Sequence, residues 1–234
     1  MSKRIRYFFG HLSASFCFAI ILTLVVFFIW YPTPLASAEG VIYIFYMILF
    51  VDIIIGPLLG LLIYKEGKKN LKNDLLIIII LQLVAVFYGV YSIAQSRPVW
   101  IAQNGAIFQL VRANAILPED QDKASTEFRY NHWWKPNWVA VNQRHPQYEF
   151  YAEPTLVPNL YEDLSHAMPR ISRYAQPISR LALFNSQHQI NEKLKKYPQV
   201  SSWMPLRTTG SDLVVLFDKK MQIINVVDLR PWSE

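Results

Sequence analysis

The chain of 234 residues has one cysteine, eight glycines and a charged fraction of only 17 %, and each shortage removes a class of answers. A single thiol, Cys17, forms no intrachain disulfide, and no Cys/His cluster has metal-ligand spacing. With so few glycines there is no phosphate-cradling loop, and neither Gly-x-Ser-x-Gly nor His-Glu-x-x-His occurs. The histidines of the second half, His132, His145, His166 and His188, are scattered. Ser165-His166 is a sequence neighbourhood that does not by itself place a nucleophile beside a base. Glu149, Glu153, Glu162 and Asp163 read as a solvated surface. No catalytic residue, metal site or cofactor is expected, and no repeat or low-complexity tract is evident. The formal net charge of +6 divides into +3 for residues 1–96 and +3 for 97–234, where 16 basic side chains face 13 acidic ones. That balance is too mixed for a nucleic-acid surface.

Apolar sequence is what the chain has in quantity, 53 % of all residues, and it is concentrated at the amino end. Runs at about 8–30, 41–64 and 75–95 each meet the length of about 20 residues that a helix needs to cross a bilayer. Lys3, Arg4 and Arg6 precede the first run, and Lys65, Lys68, Lys69 and Lys72 lie between the second and third, whereas 31–40 carries no lysine or arginine. Basic residues stay cytoplasmic, so the amino terminus and the lysine turn are expected inside and everything after about Gln95 outside. Trp30-Tyr31 and Trp100 then fall where an outer aromatic belt is expected. Ala36-Ser37-Ala38 before Glu39 has the small-x-small form of a signal-peptidase site, but the preceding run exceeds the roughly 7 to 15 residues of a signal-peptide core.

The second and third runs hold the least ordinary residues for a membrane. A charge at mid-bilayer costs about 2.5 to 3.5 kcal/mol on insertion scales, so Asp52 seeks a partner. By depth along straight helices, Tyr88 is its first intramolecular candidate, with Gln82 nearer the cytoplasmic side. Gly56-Pro57-Leu58-Leu59-Gly60 flattens one helix face, Ala85 and Gly89 repeat the small-x-x-x-small spacing, and Pro57 exposes backbone polarity near Ile53. This face, Asp52, Gly56, Pro57, Gly60, Gln82, Ala85, Tyr88 and Gly89, either packs the three helices together or receives a helix from another protein.

The combination of Asp52, Gly56-Pro57-Leu58-Leu59, Gly67-Lys68-Lys69-x-Leu71-x-x-Asp74-Leu75 and Leu81-Gln82-Leu83-x-Ala85-x-x-Tyr88-Gly89 resembles the type IV pilin accessory family, the TfpX/TfpZ-like inner-membrane proteins. The resemblance extends to Trp30-Tyr31-Pro32 and to the end of the chain, Met204-Pro205-Leu206 through Asp212 to Leu216 and Pro231-Trp232, and is loose over about 112–200. It implies a non-enzymatic helper of pilin handling, in contact with the bilayer, the major pilin and other pilus assembly proteins, that affects pilus assembly or dynamics.

Residues 97–234 are expected to form a small periplasmic α+β domain behind the three-helix region of 1–96. Asn104-Gly105 predicts a type I′ hairpin between 99–103 and 106–111, and a second hairpin spans Asp212 to Asp228. Tyr161–Ala167 and Asn185–Lys196 look helical, and Trp138–Val141 strand-like. The aromatic cluster His132-Trp133-Trp134-Lys135-Pro136-Asn137-Trp138 either packs the core or, through Trp133, Trp134 and Trp138, offers a docking site. Two other functions remain open: a membrane-anchored enzyme acting on glycan or peptide, with the tryptophans as its platform, and a structural subunit of another envelope machine. A pilin is excluded, since three spans replace its single amino-terminal helix.

Overall fold

In the structure, a computed structural model that describes residues 2–129 and 133–233, the apolar runs form helices Lys3–Trp30, Val41–Ile63 and Leu71–Gln95, each long and apolar enough to cross a membrane. The first begins as α1 (Lys3–Leu24), with Ser2 as its N-cap, and ends in a π-helical stretch over Val25–Trp30. The second is broken into α3 (Val41–Phe50), a π-helical stretch over Val51–Ile55 and α4 (Gly56–Ile63). Pro57 lacks the N–H that the carbonyl of Ile53 needs, and the wide turn sits where that bond is missing. The third span is α5 (Leu71–Gln95), preceded by a turn whose Lys68 pairs with Asp74 in the first turn of the helix. Large apolar side chains such as Phe16, Phe28, Tyr43, Met47, Leu62, Leu81 and Phe87 are exposed on these helices, as lipid-facing residues are.

The chain divides into two compact units, Met1–Ile29 with Gly40–Gln95, and Trp30–Glu39 with Ser96–Glu234. The second is built on a sheet of eight strands: β1 (Pro98–Asn104), β2 (Ile107–Arg112), β3 (Asn137–Val141), β4 (Tyr161–Glu162), β5 (Gln176–Pro177), β6 (Ser202–Arg207), β7 (Leu213–Phe217) and β8 (Ile223–Val227). The order is β4-β3-β1-β2-β6-β7-β8, with β5 also paired to β6. The β1/β3 and β2/β6 pairs are parallel and the others antiparallel. Three long apolar helices followed by an α+β unit agree with the fold class read from the sequence.

β7 shows how the sheet is buried. All five of its residues are inaccessible; Leu213, Val215 and Phe217 join one core with Ile101, Phe108, Met204 and Ile171, while Val214 and Leu216 join another with Trp203, Leu181 and Ile190. Period-two alternation therefore puts apolar side chains on both faces. After the short α6 (Pro118–Lys123), α7 (Met168–Tyr174) covers one face of the sheet and α8 (Gln187–Leu194), which starts with a Ser186/Gln189 capping box, covers the other.

Several local expectations are corrected. Tyr161–Ala167 is a short strand followed by a 3₁₀ turn, Leu164–Ala167, because Tyr161 and Glu162 are taken up by β3. The first hairpin turns at Gly105-Ala106, with Asn104 paired to Ile107 inside the ladder. Only Gly105 has positive φ, +58°, as a type II′ turn requires. The Asn104 side chain instead accepts bonds from Gln143 Nε2 (2.8 Å) and the Tyr148 hydroxyl (3.0 Å). Trp100 and Tyr31, assigned to an aromatic belt, are 2 % and 1 % exposed and lie inside the second unit. Trp100 is a β1 residue whose ring meets those of Phe128 and Tyr161.

The segment between the first two spans is a working part of this unit. Leu35 and Ala38, in α2 (Leu35–Ala38), belong to the core that contains Met204, Leu206 and Phe217. The Ala38 carbonyl accepts from Ser211 N–H (3.0 Å), and Glu39 Oε1 accepts from Thr209 N–H (3.0 Å) while Oε2 lies 3.9 Å from Arg112 Nε. Cleavage after Ala38 would cut buried Tyr31, Leu35 and Ala36 away from the unit they complete. Gly210 permits this approach, since a Cβ there would stand 2.3 Å from the Ala38 carbonyl oxygen. Gly210→Ala should therefore destabilise the second unit by about 1 to 3 kcal/mol, as overpacking against backbone does, measurable as an earlier unfolding transition of the detergent-extracted protein.

Candidate functional site

Within the first unit the acid of the second span is answered by Gln82. Its Nε2 donates to the Asp52 backbone carbonyl (3.2 Å) and to Asp52 Oδ1 (3.4 Å), and both side chains are buried. Ser15 of α1 also hydrogen-bonds the Asp52 carboxylate, and His11, one turn earlier, is its electrostatic neighbour. Tyr88, the partner expected from depth alone, is 74 % exposed on the outside of α5. The glycine opposite Gln82 explains the exchange: a Cβ on Gly56 would fall 1.6 Å from Gln82 Nε2, so the amide occupies the space a side chain would take.

The other glycines of the face are filled in the same way. A Cβ on Gly60 would be 2.8 Å from the Tyr7 ring, and one on Gly89 would be 2.5 Å from Ile48 Cδ1. Close approach thus holds the three spans to each other. Pro57 is buried beside Gly56, whereas Ala85 faces outward.

What stays open is a groove between α1 and α5. Tyr7, Gly10, His11, Ala14, Ser15 and Phe18 line one wall, Ile79, Gln82 and Leu83 the other, with Asp52 reaching in between, around a cavity of about 510 Å³. The signal was present as residues three and four apart on one helix face, including a Gly10-x-x-x-Ala14 spacing. Nothing lies within 4 Å of a Cβ built on Gly10. Three buried polar atoms in this region, Tyr7 Oη, His11 Nδ1 and Gln82 Oε1, have no hydrogen-bond partner among the described residues. In a membrane such atoms cannot turn to water, and each is costly until something supplies a partner.

In the second unit the tryptophan cluster separates. Trp138 is half-buried against the core with its ring edge-on to Phe108 (5.4 Å between centroids), whereas Trp133 and Trp134 are exposed. The Arg97 guanidinium lies 4.2 Å from the Trp133 ring centroid. His132 is outside the described residues. Of the other histidines, His166 shares a cavity of about 720 Å³ with Glu162, Arg144, Arg170 and Arg173. Its Nδ1 is 3.7 Å from Glu162 Oε2, beyond hydrogen-bond length, and no serine, threonine or cysteine is among the residues that line the cavity. Burial draws the Arg170 pKa below its ordinary value, opposed by the nearby Glu162 charge.

The contrast between filled and open glycines is testable. Gly56→Ala must displace Gln82 from Asp52 and should cost about 1 to 3 kcal/mol, with a smaller penalty when Gln82→Ala is present in the same chain. Gly10→Ala, in open space, should be neutral or stabilising by up to about 1 kcal/mol. Thermal unfolding of the detergent-purified chain reads both.

Residues 1–40, which carry one wall of the groove, match the family described as Fimbrial assembly protein FimB. Across nearly its whole length the chain is similar to the fimbrial assembly protein of Dichelobacter nodosus serogroup E1, 26 % identical over 242 residues covering 95 % of this chain and 94 % of the relative. The serogroup I protein of that organism is likewise 26 % identical over 246 residues. The protein of serogroups C1 and C2 is 37 % identical over 117 residues, 49 % of this chain and 88 % of the relative. No solved structure matches the chain. These relatives agree with the resemblance carried by the second and third spans, and the chain belongs to the fimbrial assembly protein family.

Proposed function

We propose that this protein is a non-enzymatic accessory of type IV pilus assembly that holds the apolar helix of the major pilin in the groove between its first and third spans. The observation that carries the reading is the groove itself: apolar walls around Asp52, His11, Ser15 and Gln82, with unpartnered polar atoms at membrane depth. A passing apolar helix satisfies the walls, and a polar group on it satisfies the floor. Relatives described as fimbrial assembly proteins supply the class of partner.

In this reading the protein sits in the bacterial inner membrane, with residues 1–96 as its membrane region and 97–234 as a periplasmic domain that the 30–39 segment helps to build. The outer unit meets the pilin's globular head and other pilus assembly proteins, with the exposed Trp133 and Trp134 as a docking surface. The lysine turn and the amino terminus lie in the cytoplasm, as the placement of basic residues favours. An enzyme acting on glycan or peptide has less support, because the cavity that contains His166 and Glu162 holds them too far apart to share a proton.

Two experiments test this. With pilin coexpressed, a photoreactive residue at Ala14 should give a pilin adduct, and one at Tyr43, which is 82 % exposed, should not; an incorporated probe at Ala14 without any adduct overturns the groove assignment. Alkaline phosphatase should be active when fused at the carboxyl end and inactive when fused at Gly67, and the reverse pattern refutes the orientation.

A further inference from the structure

Three arginines of the second unit converge on one cavity without forming an ion pair among the described residues. Arg170 and Arg173 stand one turn apart on α7, and Arg144 faces them from the loop after β3. Like charges three residues apart on a helix repel, so the arrangement is unfavourable unless an anion joins it. Among the described residues none of the three has a carboxylate oxygen within 4.0 Å. Glu162 is the acidic residue among those lining the cavity, and it is turned toward His166 at 3.7 Å. Three guanidiniums therefore share the cavity with one carboxylate. Asp163, next to it, accepts from Ser165 N–H at 2.8 Å.

Arg170 is positioned for a ligand. Gln103 of β1, fully buried, accepts from Arg170 Nε (2.8 Å) and Nη2 (2.6 Å), and the Val141 carbonyl accepts from Nη2 (3.1 Å). These partners are neutral, so they fix the guanidinium plane without cancelling its charge, and Nη1 keeps its donors. Two amides on the rim also bond within the protein. Asn142 Oδ1 accepts from the Arg144 N–H (3.0 Å), which holds the loop carrying that arginine, and Gln143 Nε2 donates to Asn104 Oδ1 (2.8 Å). Recognition rests on the guanidiniums, whose forked donors match oxygens on phosphorus or carbon.

We infer that this cavity is a binding site for a small anion with several acceptor oxygens, a phosphate ester or a di- or tricarboxylate. It is separate from the membrane groove and stands whether or not pilin binds there. Its lining of guanidiniums with Pro169 and the Tyr174 ring leaves room for an organic body beside the anionic group.

The test uses the full chain in detergent, titrated with inorganic phosphate and, separately, with citrate, against sodium chloride at matched ionic strength. A saturable rise in melting temperature with phosphate, citrate or both, exceeding that with chloride, is expected, and which of them acts tells phosphoryl from carboxylate preference. Arg144→Gln and Arg173→Gln, both at exposed positions, should fold normally and each weaken the response about tenfold, the loss of one charge-assisted contact. Arg170→Gln should abolish it. No response beyond that of chloride, or a response unchanged in both exposed variants, overturns the assignment.

Discussion

A carboxyl group at mid-membrane has few ways to exist, and the pairing of Asp52 with Gln82 organises the helical unit around that fact. The amide reaches the acid only because Gly56 has no side chain, and the wide turn around Asp52 exists where Pro57 withholds an N–H. Three residues that each look unfavourable in a membrane helix are mutually required. Once the third span is pinned to the second in this way, Gly60 can take the Tyr7 ring and Gly89 the Ile48 side chain, and the first span closes against the pair along part of its length. Along the rest it stands away, and the groove is the space left over. Polar residues needed to join the helices therefore also furnish the floor of an opening between them.

The second unit manages charge differently. Exposed arginines stand unpaired at low cost where water reaches them, but Arg170 is partly withdrawn and is held by neutral groups. Glu39, whose side chain is almost wholly buried, lies near Arg112 and accepts a backbone bond, a structural use of charge beside what reads as a binding use. The two cases are distinguished by whether the partner carries an opposite charge.

Uninterrupted apolar runs made the spans legible in the sequence, and alternation with turn residues made both hairpins legible, because each signal is local. Tyr88 was chosen over Gln82 as the partner of Asp52 because counting depth assumes straight α-helices, whereas a π turn lies at the acid itself and the deciding vacancy is the missing side chain of Gly56. The wall formed by Tyr7, His11, Ala14 and Ser15 has the spacing of one helix face, but that spacing alone does not tell an open face from a packed one. The arginine cavity was beyond reach: Arg144 comes from a loop, Arg170 and Arg173 from a short helix, and Gln103 from a strand far earlier in the chain. The parallel pairing of β1 with β3 sets Gln103 beside the start of the Arg144 loop.

The placement of the 30–39 segment bears on how the protein is made. Thr209 and Glu39, joined by a hydrogen bond, are 170 residues apart, and the strands that bury Leu35 and Ala38 are among the last to be synthesised. This segment has left the ribosome long before these neighbours exist, so the second unit completes its core only once its carboxyl-terminal strands have been translated. A nascent chain lacking them is without the Met204, Leu206 and Leu213 side chains that complete the core around Leu35 and Ala38, and apolar surface left open in this way makes an incomplete chain prone to aggregation.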